Sequence, residues 1–201
     1  MGVNVRAARA ARTRTRRIYI ASTITSVVIL AAVVIFTAVN GGAGSGTATA
    51  GTAVDSTQSS IGKSFPAFTL TTPTGSRITK SSLAGHKSLI WFSATSACSS
   101  CGPGALQVRQ VEQQLGSNAF QVLLVFVNVT GPTSDLTSWR DTYGQSNWAV
   151  AVDNQDQLAL KVNIPCLDTK FVLDEHGKII DINSNPVDSS YLTMLRQKVE
   201  S

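Results

Sequence analysis

The sequence predicts an α/β domain over residues 61–201, a central mixed sheet with helices on both sides and a hairpin at its start, carried behind a single membrane-spanning helix. Three features lead there. The chain changes texture abruptly at Ile61, strand-like and helix-like patterns alternate through its middle, and turn signals bracket short apolar runs at both ends. With 201 residues there is room for one medium-sized domain plus appendages.

Residues 1–17 hold six arginines, Arg6, Arg9, Arg12, Arg14, Arg16 and Arg17, all before the first acidic residue, Asp55. Without them the formal charge of +5 becomes −1, so the folded part offers no concentrated positive field and nucleic acid is not an expected partner. Residues 18–39 run uncharged and without proline for 22 positions, long enough for a helix to cross a bilayer core. Arginines on the N-terminal flank predict a cytoplasmic N-terminus and a C-terminal domain outside, anchored in the plasma membrane as a single-pass protein. A cleaved signal peptide has a shorter apolar stretch, of about 7–15 residues, and Arg16-Arg17 loosely resembles a twin-arginine export signal. Cleavage would make the domain secreted and leave its compartment unchanged. Residues 40–60 are Gly, Ala, Ser and Thr with almost no large apolar side chain, the composition of a flexible linker.

From Ile61 the elements follow in order. Phe65 to Leu70 alternates as a half-buried strand, and Thr72-Pro73-Thr74-Gly75-Ser76 is a turn into a short strand at Arg77-Ile78, a hairpin. Ser88 to Phe92 is a continuous apolar run of the central-strand kind. A helical pattern follows, with Val108, Val111 and Leu115 on one face. Phe120 to Asn128 reads as a buried strand, Ser134 to Tyr143 as a helix, Trp148 to Val152 as a strand and Gln157 to Val162 as a short helix. Lys170 to Leu173 and Lys178 to Ile182 form a second hairpin around Asp174-Glu175-His176-Gly177, and Asp188 to Val199 closes the chain as a helix with Tyr191, Leu192 and Leu195 inward.

Between the central strand and the helix lies Cys98-Ser99-Ser100-Cys101. A helix N-terminus stabilises a thiolate on the first sulfur, and the second, one turn on, can close a disulfide with it. Cys98 is the expected nucleophile and Cys101 the resolving thiol. An inert disulfide, or half of a zinc site, are the other readings of such a pair. Zinc would need further ligands, and Cys166, His86 and His176 stand at no recognised spacing, so no metal or cofactor is expected. Three cysteines are too few for a disulfide-stapled scaffold.

Arg77 to Phe92, with Leu83, Gly85 and Lys87 before the apolar run, resembles the stretch ahead of the active site in membrane-anchored thioredoxin-like proteins of the TlpA and ResA type. Trp148 to Val162 and Phe171 to Ile179 resemble that family's closing half. The resemblance implies a thioredoxin-like fold and thiol-disulfide oxidoreductase activity outside the cytoplasm. It implies exported protein disulfides or thiols as partners, with a membrane or extracytoplasmic redox donor.

Three departures accompany it. Ala97 stands where an aromatic residue usually precedes the first cysteine. Gly102-Pro103-Gly104 follows the pair, and two glycines weaken a helix start. In the loop that faces the cysteines, one alignment puts Asp168 where the family has a cis-proline; another keeps Pro165 in that role and brings Cys166 beside the pair as a third redox thiol. Cys166, Pro165 and Thr95 are accordingly accessory candidates, against a plain reading of Cys166 as an unpaired thiol. Thr95-Ser96-Ala97-Cys98 also resembles the threonine-x-x-cysteine of peroxiredoxins, so a thiol peroxidase using Cys98 is one alternative. A tethered, non-catalytic binding domain with a structural disulfide is another. Trp91, Trp139 and Trp148 read as core, and His86 and His176 as solvated loop residues.

Overall fold

The computed structural model describes residues 58–201, which form β1 (Thr69–Thr71), β2 (Arg77–Thr79), β3 (Ser88–Ser93), α1 (Cys101–Leu115), β4 (Gln121–Phe126), α2 (Ser134–Tyr143), β5 (Ala149–Val152), α3 (Gln157–Val162), β6 (Lys170–Leu173), β7 (Ile179–Asn183) and α4 (Ser189–Glu200). The seven strands make one mixed sheet in the order β2-β1-β5-β4-β3-β6-β7. Strands β3, β4 and β5 run parallel, while β1 and β2, and β6 and β7, are antiparallel hairpin pairs. This is the thioredoxin-like α/β arrangement.

Every residue of β3 is buried, and β4 is buried from Val122 onward, because both strands lie inside the sheet with side chains covered on each face. Alternation then sorts the core into two layers. Leu89, Trp91, Val122, Leu124 and Phe126 point to the side covered by α1, α2 and α4. Ile90, Phe92, Leu123, Val125 and Phe171 point to the other side, under α3, Phe65 and the 3-10 turn at Lys80–Leu83. The chain walks from β3 to β4 to β5 in one direction, so two crossovers of one hand lay α1 and α2 on the same face.

The expected strand from Phe65 to Leu70 is shorter than its alternation suggested. Pro66 has no N–H to give a ladder, and the β1 pairing begins only at Thr69. Phe65 instead donates its N–H to Gly177 O at 2.9 Å and packs edge-on against Phe171. Hydrogen bonds of the domain reach back to Gln58, whose Nε2 donates to Ile182 O at 2.9 Å. The basic segment 1–17, the membrane span 18–39 and all but the last three residues of the linker 40–60 lie outside the described residues. Among the described residues no helix is long and apolar enough to cross a membrane.

Candidate active site

Cys98 and Cys101 are joined in a disulfide with their Cα atoms 5.5 Å apart. The strand β3 delivers the chain to the top of the sheet, the loop of residues 94–100 turns it, and Cys101 opens α1. The two sulfurs are not equivalent. Cys98 is half-buried in the loop, whereas Cys101 is fully buried against the core. A partner can reach the first sulfur and not the second.

The helix starts at Cys101 itself, with Gly104 N–H donating to Ser100 O at 2.9 Å, so the dipole of α1 bears on the pair undiminished. The two glycines are there for room. A Cβ on Gly102 would stand 3.0 Å from the Tyr143 ring, and one on Gly104 would stand 2.9 Å from Val187 Cγ2 and 3.2 Å from Trp91. Close approach of α2, Val187 and β3 therefore requires what helix propensity disfavours.

Opposite the pair sits Asp168, 3% exposed, at the end of the loop leading into β6. It has the left-handed backbone φ of 74°, and its N–H donates to Phe92 O while Phe92 N–H donates to Thr169 O, each at 2.9 Å. Its Oδ1 accepts from Trp91 Nε1 at 2.9 Å and from Lys170 Nζ at 3.0 Å; its Oδ2 accepts from Ser100 Oγ at 2.5 Å. One carboxylate oxygen and the two sulfurs lie within 4.8 Å of one another. Two of those three atoms are already bonded together, and the carboxylate is held by an ammonium, so the arrangement is not that of a metal centre.

Lys170 is wholly buried. Its ammonium donates to Asp168 O, Asp168 Oδ1 and Asn185 O, and lies 5.2 Å from the ring centres of both Trp91 and Tyr191. Burial pushes the Lys170 pKa down and the Asp168 charge pulls it back up, in that order of size. The Tyr191 hydroxyl, buried without a partner, is pushed well above the usual phenol range by the same desolvation.

The loop facing the cysteines is thus built by Asp168, and the reading with a cis Pro165 is corrected: all described peptide bonds are trans, and Pro165 is exposed. Cys166 is an exposed free thiol that donates to Ser184 O at 3.4 Å. The group that joins the two sulfurs in one cluster is the Asp168 carboxylate, not Cys166. Thr95 and Ala97 are exposed in the loop, and His86 and His176 are exposed as expected. Arg109, the arginine on α1, points its guanidinium at Gly144 O instead of at Cys98.

Sequence reasoning missed Asp168, Lys170 and Ser100 as a connected group. The available signal was Asp168-Thr169-Lys170, two charges at i and i+2 entering a buried strand, which places both on one face.

The sequence matches the Redoxin family model over residues 60–195. No curated protein matches it. Among solved structures, similarity extends to a secreted Mycobacterium tuberculosis disulfide oxidoreductase homologous to E. coli DsbE, at 19% identity and a TM-score of 0.54 over 73% of this chain and 97% of that one. The thioredoxin domain of a Bacteroides vulgatus thiol-disulfide oxidoreductase is 18% identical, with a TM-score of 0.57 over 68% and 96%. The exposed lipoprotein thioredoxin Etrx1 of Streptococcus pneumoniae is 20% identical, with a TM-score of 0.52 over 66% and 99%. At these identities the likeness is one of fold.

Proposed function

We propose that this chain, which belongs to the Redoxin family and is a thiol-disulfide oxidoreductase, exchanges disulfides with exported proteins on the outer side of the membrane. The observation that carries the reading is the asymmetry of the pair, an approachable Cys98 ahead of a sealed Cys101 at the start of α1.

In the reducing direction the Cys98 thiolate attacks one sulfur of a substrate disulfide, and the other substrate sulfur leaves as a thiolate. Cys101 then gives its proton to Asp168, whose carboxylate oxygen is the acidic group within 4.8 Å of both sulfurs. The freed Cys101 thiolate attacks Cys98, their disulfide closes, and the second substrate sulfur departs and is protonated. Two electrons pass from the pair to the substrate; Cys101 supplies one proton by way of Asp168, solvent supplies the other to the first departing thiolate, and a membrane or extracytoplasmic donor re-reduces the pair. Residues 18–39 supply the anchor in this account, with the domain outside.

Trapping in the native envelope tests it. In Cys101→Ser the second step is blocked, so exported partners are expected to accumulate as mixed disulfides on Cys98 and to vanish in the Cys98→Ser, Cys101→Ser double variant. Recovery of no Cys98-linked protein, with the chain expressed and folded, would sink the reading.

A further inference from the structure

The geometry points to Asp168 as the residue that holds the Cys98–Cys101 pair at a reducing poise, by taking the Ser100 hydroxyl proton that a Cys98 thiolate would otherwise accept and by setting a negative charge against that thiolate. The inference deepens the exchange reading above, on which it rests, by giving it a direction.

Ser100 Oγ is 3.8 Å from Cys98 Sγ, close enough that a small rotation would let its hydroxyl serve a thiolate there. A serine has a single proton to give, and here it goes to Asp168 Oδ2 at 2.5 Å. The oxygen therefore presents lone pairs to Cys98. Asp168 cannot swing away, because Trp91 Nε1 and Lys170 Nζ hold Oδ1 and its own N–H is held by Phe92 O.

The disulfide is uncharged and the reduced pair carries a thiolate, so anything that disfavours the thiolate favours the disulfide and makes the dithiol the better electron donor. The N-terminus of α1 works the other way. Asp168 offsets it. The charged and titratable groups around Asp168 are Lys170 from β6, Tyr191 from α4 and Asp181 from β7, with Cys166 in the adjoining loop. Trp91 on β3 contributes a neutral donor, and α1 contributes Cys101 alone. Lys170 is committed to Oδ1 and to the carbonyls of Asp168 and Asn185, which leaves Oδ2 to face Ser100.

The test uses the full chain and two readouts: the pH dependence of Cys98 alkylation by iodoacetamide, and the equilibrium of the pair with dithiothreitol. In Asp168→Asn the amide nitrogen donates to Ser100 Oγ, whose proton is then free for Cys98. The alkylation profile is expected to move to lower pH, and the equilibrium constant to shift about tenfold toward the dithiol. Both readouts unchanged, or moved the other way, would overturn the inference. Should Asp168→Asn not fold, Ser100→Ala decides. Its hydroxyl does not donate to Cys98 in the native site and its lone pairs face that sulfur, so the alkylation profile is expected to stay in place or move to lower pH, and a move to higher pH would show that Ser100 donates to the thiolate and would overturn the proposal. Because the equilibrium with dithiothreitol needs neither fast proton transfer nor a protein partner, a negative result here leaves the partner reading to the trapping experiment.

Discussion

The indole N–H of Trp91 donates to Asp168 Oδ1 at 2.9 Å, tying the central strand of the sheet to the loop that faces the disulfide. A residue fully buried in the core thus also fixes the carboxylate beside the two sulfurs. Trp91→Phe deletes the donor together with part of the indole. Stability is expected to fall by about 2–4 kcal/mol in a denaturant titration of the oxidised chain, because a buried charged acceptor is left short of one bond and a cavity opens in the core.

Lys170 and Asp168 form a buried ion pair, exposed by 0% and 3%. Removing one member of such a pair leaves the other charged and dry. Lys170→Met should cost about 3–5 kcal/mol, while the double variant with Asp168→Asn should cost less than Lys170→Met alone. A double-variant loss equal to the sum of the two single-variant losses would show that the two do not act as a pair, and the same denaturant titration measures all three.

Gly104 lies where α1 crosses Val187 and Trp91. Alanine there gains roughly 1 kcal/mol of helix propensity, but its methyl meets Val187 Cγ2 at 2.9 Å. Overpacking dominates, with a net loss of about 1–2 kcal/mol expected. Val187→Ala in the same chain should recover part of it, read as the midpoint of thermal unfolding.

Asp181 on β7 is half-buried with Oδ2 unpaired. Burial raises its pKa, against the smaller opposing pulls of Lys198, the Ile182 backbone and Lys170. A raised folded-state pKa means the folded chain holds this proton more tightly than the unfolded one. Its contribution therefore favours folding below pH 3.8 and is lost as pH climbs through the raised value. Asp181→Asn is expected to be more stable than the native chain at pH 7, by a margin that solvent screening of this half-exposed group keeps small, with the difference closing as pH falls below 3.8.

How much of this was legible in the sequence depended on distance along the chain. Strand and helix patterns are local, and α2, α3 and β6 occupy the spans their periodicity marked. The Cys98–Cys101 pair was legible because its chemistry is written in four residues at a junction. The Asp168 group was not. Ser100 and Asp168 are 68 positions apart, and the carboxylate that Ser100 meets arrives from another loop. Trp91 read as core since periodicity reports burial and not the polar tip of a ring. Gly102 and Gly104 looked like a poor helix start until Tyr143 and Val187 came to rest against them. Pro66 was the local signal that should have shortened the first strand.

The division of labour between an attacking Cys98 and a resolving Cys101 is open to experiment. Its most direct measurement mixes the reduced full chain with a model disulfide, quenches by acid and alkylation at short times, and maps the linked cysteines by mass spectrometry. Expected are a transient adduct on Cys98, conversion to the Cys98–Cys101 disulfide with two equivalents of thiol released, persistence of the adduct in Cys101→Ser, and the same course in Cys166→Ser. A first adduct on Cys101 or Cys166, or none on Cys98 in the folded chain, would contradict it.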